Sequence, residues 1–248
     1  MCILAIQYKA ARDAPILVAQ NREEAYDRPT QAPRIQPGRP RVICGIDKKA
    51  GGTWLGVNQH GLFAAVANRI KSSVPPEPRS RGLLCRELLQ FEHASKAAEH
   101  AAKELASGRY AGANFIVADA RSAAVILGGD TVEVVPLTPG LHILSNSGLD
   151  NPNDERQEFV RRLLTLQRLD SAVAFLAVAS RTFSRKPDAF GRRGATISGP
   201  EYGTVSSTLL ALPKKTHNAV YHYAAGSPSD HPYDDLSALL RQVLSTDK

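Results

Sequence analysis

A cysteine stands at position 2, directly after the initiator methionine, in MCILAIQY. Processing normally removes such a methionine when a small residue follows. That would expose a residue carrying both a thiol and a free α-amine. An α-amine titrates near about pH 7.7–8, so it could act as base for its own side chain and unite nucleophile and base in one residue. The competing reading of Cys2 is a buried thiol in an edge strand. Other chemistry is poorly supported. The seven histidines form no HExxH and no His/Cys cluster at metal spacing, so no metal is expected. GxGxxG, P-loop, SxxK and GxSxG motifs are missing as well, which argues against nucleotide binding and serine hydrolysis.

The elements that would position Cys2 follow from pattern. Residues 2–8 and 14–20 read as paired strands around a polar KAARD turn. The Pro- and Arg-rich stretch 25–41 reads as loop, and RVICGI as a strand. GGTWLGVNQHGLFAAVAN reads as a glycine turn, a strand, a turn at Gln59–Gly61 and a strand ending at Asn68. A polar loop follows over 69–80. Leu83, Leu84, Leu88 and Leu89 recur at helical spacing from Arg81 onward, and a second helix covers 94–106. Three strands are expected at 113–119, 123–127 and 131–135, and one at 142–147. Helices are expected at 154–168, with Asp154 as N-cap, and from 170 to about 180. Residues 181–200 read as a mobile loop, 204–212 and 218–226 as paired strands, and 234–245 as a helix. Runs of strands alternating with pairs of helices, without a linker or repeat, predict one α+β layered domain over 1–248.

Several blocks in order carry a resemblance over nearly the whole chain. They are MCILAIQY, VAQNREEAYDRPT, AGGTWLGVNQHGLFAAVANR, SRG, GANFIVAD, LSNSGLDNP and YGTVSSTLLAL. Together they resemble the NRDE family, also called the transport and Golgi organisation protein family. That family is similar in turn to N-terminal-nucleophile hydrolases of the cholylglycine hydrolase and penicillin acylase type. The resemblance implies a four-layer αββα sandwich of two stacked, mainly antiparallel sheets flanked by helices. It implies Cys2 as nucleophile, Glu23 as the carboxylate contacting the α-amine, Asn68 as a backbone oxyanion donor and Asn146 as a side-chain donor. Asn21, Arg22, Trp54 and Arg69 become candidate substrate-binding residues. Each also has a plainer reading: Asn68 and Asn146 as turn formers, Glu23 paired with Arg22 or Arg28, Trp54 as a core anchor. Glu23 stands where the family name has Asp. Gln20 occupies a place where the hydrolases carry arginine, and a second arginine expected near Ser206-Ser207-Thr208 is missing.

Two functions follow. One is a cysteine amidohydrolase or acyltransferase on a small amide or thioester, cleaving carbon–nitrogen bonds other than peptide bonds. The other is a carrier of a hydrophobic anionic ligand, since the resemblance extends to proteins linked to haem trafficking and acyl-CoA metabolism; haem would then be cargo, not cofactor. The net charge of +7 suits an anionic group on either ligand. Basic residues are neither clustered in runs of five nor interleaved with aromatics, which excludes a nucleic-acid partner. Cysteines at 2, 44 and 85 make no disulfide or zinc pattern and fit a reducing, cytoplasmic setting. The N-terminus is apolar for only about five residues and lacks a basic region, unlike a secretory signal. No apolar stretch approaches the ~20 residues of a membrane span. The sequence sets no oligomeric state.

Overall fold

The computed structural model describes residues 2–188 and 194–245. The chain begins with β1 (Ile3–Tyr8), β2 (Ile16–Ala25), β3 (Thr30–Gln36), β4 (Val42–Asp47), β5 (Leu55–Asn58) and β6 (Phe63–Asn68). Helices α1 (Arg81–Leu88) and α2 (Ala94–Ala106) follow, then β7 (Ala113–Ala118), β8 (Ala123–Gly128), β9 (Val132–Pro136), β10 (Gly140–Ser145) and β11 (Gly148–Leu149). The remainder is α3 (Glu155–Thr165), α4 (Ala172–Phe183), β12 (Tyr202–Leu212), β13 (Val220–Ala224), β14 (Asp234–Asp235) and α5 (Ser237–Leu244).

These elements form two compact units. The first takes the chain up to Asp27 and Pro139–Ala238; the second takes Arg28–Thr138 and the chain from Leu239 onward. The first unit holds a seven-stranded antiparallel sheet in the order β11-β10-β1-β2-β12-β13-β14. Strand side chains alternate between faces. Ile3, Ala5, Leu17, Ala19, Leu209 and Ala211 therefore share one face, where they pack against Val160, Leu164, Phe175 and Phe183 of α3 and α4. The intervening Leu4, Ile6 and Val18 are buried too. Burial on both faces is why β1 reads as an unbroken apolar run.

The second unit is an antiparallel meander, β3-β4-β5-β6-β7-β8-β9. Leu84 and Leu88 of α1 and Ala97, Ala101 and Leu105 of α2 pack against Ala64, Phe115, Val117 and Ile126. Alanines on α2 let the helix lie close to the sheet. Ser80 caps α1 by accepting from the Leu83 amide at 3.3 Å. The GGTWLG turn has two different demands: Gly51 sits at φ +71°, and Gly52 lies so close to α1 that a Cβ would stand 2.2 Å from the Gly82 carbonyl carbon.

Three expectations need correction. Residues 25–41 are not all loop, because Thr30–Gln36 forms β3. It is an edge strand whose ladder is interrupted between Gln31 and Arg34, and that irregularity accommodates Pro33. The 181–200 stretch is not loop throughout: α4 continues to Phe183, and Ser198 bridges Gly203. Residues 189–193 of that stretch lie outside the described residues. The C-terminal helix starts at Ser237, after a two-residue strand at Asp234–Asp235.

Replacing Gly52 by alanine should cost about 2–3 kcal/mol, because the clash is with backbone, and lower Tm by about 4–12 °C. Thermal unfolding followed by circular dichroism checks this; an unchanged Tm would contradict the close approach of the turn to α1.

Candidate functional site

β1 is an interior strand, with Ile3 opposite Ser145 of β10 on one side and Asn21 of β2 on the other. Cys2 is therefore not in an edge strand. Its backbone N–H donates to Asn146 Oδ1 at 3.0 Å, just past the end of β10. The thiol is buried. Burial pushes it above the ordinary cysteine value, and the negative charge of Glu23 pushes the same way. The Glu23 backbone N–H and the Arg22 guanidinium oppose this without reversing it. The resting group is a thiol, so nucleophilic attack needs a base to take its proton.

Glu23 lies on β2 with its side chain wholly buried. Arg156, in the first turn of α3, forks onto it, with Nη2 2.6 Å from Oε1 and Nη1 3.4 Å from Oε2. The same Nη2 donates to the Ala195 carbonyl at 2.6 Å. The Thr204 hydroxyl donates to Glu23 Oε1 at 3.3 Å, and the Tyr202 hydroxyl donates to the Glu23 backbone carbonyl at 2.8 Å. Burial pushes the Glu23 carboxyl above the ordinary carboxylate value, and Arg156 and Thr204 oppose this without reversing it. The partner of Glu23 is thus neither Arg22 nor Arg28. Arg28 is bound to Asp47 at 2.6 Å, and Arg22 lies 3.8 Å from Glu24.

The start of α3 is tied to the end of β10. Asp154 Oδ1 accepts from the Arg156 and Gln157 amides at 3.0 and 3.1 Å, capping the helix. Its Oδ2 accepts from the Ser145 and Ser147 hydroxyls at 2.7 and 2.6 Å. Gln157 Nε2 donates to Ser145 Oγ at 2.8 Å and to the Gly148 carbonyl at 2.9 Å. The residues on either side of Asn146 and the amide of Arg156 are therefore held by one carboxylate. Burial raises the Asp154 carboxyl, but the two serine hydroxyls and the two helix amides outweigh it and hold it below the usual carboxylate range.

The remaining expected residues are placed as follows. Asn21 is fully buried and its amide donates to the Phe183 and Ala195 carbonyls at 2.9 and 2.7 Å, tying β2 to the end of α4. Arg22 is buried on the opposite face of β2. Trp54, Asn68 and Arg69 belong to the second unit. The Trp54 indole is buried against Gly45, where a Cβ would stand 2.2 Å from the ring. Asn68 ends β6 and is exposed. Arg69 donates to Asn114 Oδ1 at 3.2 Å. Cys44 and Cys85 are buried in the core of the second unit, which pushes the Cys44 thiol to about 11 and Cys85 higher still, out of the reactive range. Among the described residues no group of three or more His, Cys, Asp or Glu could hold a metal ion. A groove of about 570 Å³ in the first unit is lined by Tyr26, Lys186, Ile197, Thr204, Asp230 and His231, and so reaches the threonine that contacts Glu23.

Removing Arg156 should leave a buried, unpaired carboxylate. Arg156→Met is expected to destabilise by about 3–5 kcal/mol, with most of the loss restored in the Arg156→Met/Glu23→Gln double variant. Urea denaturation of the cycle decides it, and additive losses would contradict coupling. Asp154 supplies a pH test. Its carboxyl is depressed in the fold, so its stabilisation is present above the unfolded value of about 3.9 and disappears as pH falls through the lower folded value. Asp154→Asn should be less stable than the wild type at pH 7 and show a flatter stability loss below about pH 4. Parallel acid profiles would contradict this.

The chain matches the family model described as Transport and Golgi organisation 2 over residues 1–223. It is 30% identical over 236 residues to the Transport and Golgi organization protein 2 homolog of Bos taurus, covering 82% of this chain and 83% of that one. Among solved structures it resembles a Caenorhabditis elegans orthologue of N-acylethanolamine-hydrolyzing acid amidase, with TM-score 0.56 and 15% identity over 86% of this chain and 94% of that one. It also resembles penicillin V acylase from Agrobacterium tumefaciens, with TM-score 0.52 and 14% identity over 90% and 83% of the two chains. At such identities the likeness shows the fold alone. That fold is of the α+β, N-terminal-nucleophile hydrolase-like class expected from the sequence, and the chain belongs to the Transport and Golgi organisation 2, or NRDE, family.

Proposed function

We propose that this protein is a cysteine N-terminal-nucleophile amidohydrolase or acyltransferase, acting within a single functional domain on a small amide or thioester. The observation that carries this reading is the setting of Cys2, whose nitrogen meets the Asn146 side chain at 3.0 Å while its thiol meets the backbone N–H of Glu23. Hydrolysis of the Met1–Cys2 peptide bond would free the α-amine. The amine then takes the thiol proton as sulfur attacks the substrate carbonyl. The resulting oxyanion is met by the Asn146 side-chain N–H, a donor of the kind worth roughly 3 kcal/mol of barrier. The protonated amine returns its proton to the leaving nitrogen as the C–N bond breaks, leaving a thioester on Cys2. Water or an acceptor amine then releases the acyl group.

Arg156 has a definite part in this scheme. A lone carboxylate beside the α-amine would hold the amine as ammonium. Pairing Glu23 with a guanidinium reduces that pull while leaving the carboxylate able to orient the amine. The donor role of Asn68, and contacts from Arg22, Trp54 and Arg69, rest on the family resemblance alone. Three free cysteines support a reducing, cytoplasmic setting. No described helix is long and apolar enough to cross a membrane.

Intact-mass measurement tests the proposal. The purified protein should lack Met1 and gain one acyl group on incubation with an acyl p-nitrophenyl ester, and Cys2→Ala should gain none while remaining folded. Acylation that survives Cys2→Ala would remove the nucleophile assignment. Retained Met1 with no adduct, accompanied by saturable haem binding in an absorbance titration, would favour the carrier reading.

A further inference from the structure

The two sheets present four edges, and three of them are blunted. β11 is two residues long, and β14 is two residues, both aspartates. β3 carries Pro33 and the exposed Arg34 beside a break in its ladder. Short length, charge and irregular pairing keep an edge from joining another chain. β9 is different. It pairs with β8 without interruption from Val132 to Pro136, and Val134, 42% exposed, stands at its middle.

The backbone groups that β9 turns outward follow from the bonds at its two ends. The Leu137 N–H donates to the Ala123 carbonyl at 2.9 Å, and the Gly129 N–H donates to the Thr131 carbonyl at 3.0 Å. Both pairs continue the β8–β9 register. In an antiparallel ladder such bonded pairs recur at every second residue. Thr131, Glu133, Val135 and Leu137 therefore direct their N–H and C=O groups to β8, while Val132, Val134 and Pro136 direct theirs away from it. Pro136 has no N–H, and it occupies a position where β8 needs none. The open groups are thus the N–H and C=O of Val132 and Val134 and the C=O of Pro136.

This set is complementary to itself. With a second copy antiparallel and Val134 on the two-fold axis, the two Val134 residues exchange both N–H···O bonds. Each Val132 N–H then meets the Pro136 carbonyl of the other copy. In that register Glu133 stands opposite Val135 of the second copy, so no like charges face each other directly. Val132 packs against the core beneath α2, and Val134 lies opposite Ile126 of that core. The join would extend a sheet face that already carries a packed helix.

We propose that β9 is a homodimer interface, where two chains join edge to edge about a two-fold axis at Val134 to make one continuous sheet. The contact is isologous, so it closes at two copies. It is independent of the reading of Cys2.

Analytical ultracentrifugation of the full chain tests this, with circular dichroism as the check on folding. The wild type should sediment as a dimer at micromolar concentration. Val134→Pro removes the outward N–H without touching a β8 bond, and Val134→Lys sets two ammonium groups together at the axis. Each should raise the dimer dissociation constant at least about 10-fold; if Val134→Pro loses its fold, Val134→Lys decides. Register is read by cross-linking under mild oxidation. Val134→Cys should form a disulfide-linked dimer, because directly opposed Cα atoms stand about 5.5 Å apart. Thr131→Cys should not, because its two copies would lie roughly 20 Å apart along the strands. A wild-type monomer at high micromolar concentration, a dimer that survives Val134→Lys, or Thr131→Cys cross-linking as readily as Val134→Cys would each overturn the proposal.

Discussion

A carboxylate sits inside the first unit with no access to solvent, and the architecture around Cys2 is arranged to keep it there. An isolated buried charge costs several kcal/mol. Glu23 persists because Arg156 forks onto both of its oxygens, Thr204 donates to one of them, and Tyr202 holds its backbone carbonyl. Arg156 can reach it only if α3 starts where it does. That start is set by Asp154, whose other oxygen is bound by the serines flanking Asn146. One chain of charge-assisted bonds thus runs from β2 through α3 to the end of β10, and Cys2 lies between the two strands that it joins.

The electrostatics of the cysteine follow from the same arrangement. A buried thiol beside a carboxylate is a poor source of thiolate, and the raised thiol value reflects that. The reactive form must be made during attack by a base in contact with sulfur. In the proposed mechanism the α-amine of a processed Cys2 supplies that base, and a carboxylate already partnered by arginine would orient the amine without holding its proton. Proximity and charge compensation are therefore two halves of one design.

Legibility in the sequence differed between fold and site for physical reasons. Apolar runs such as ILAIQY and ANFIVA and the leucines from Leu83 to Leu89 report burial directly, and strand and helix positions follow. β3 escaped because Pro33 and the flanking arginines look like loop, and only an edge position makes such a strand tolerable. Cys2, Glu23 and Asn146 were visible as types at marked positions, and the resemblance supplied the roles proposed for them. Arg156 carried no signal. It is one of several arginines on an amphipathic helix, and its partner lies 133 residues away in the chain. Asp154 was readable as a cap, yet its link to Ser145 and Ser147 needs a tertiary contact that no local pattern encodes. Asn21 looked like a binding residue from its place in the motif, and the fold uses its amide to fasten α4.

The claim that the amine of Cys2 activates its own sulfur is tested most directly by the pH dependence of single-turnover acylation of the Met1-free protein. The account predicts a rate that rises with an apparent pKa near about 7–8, that of an α-amine not held as ammonium, and then levels. A rate that climbs only above about pH 9, following ionisation of a thiol held above its ordinary value of about 8.5, would contradict it.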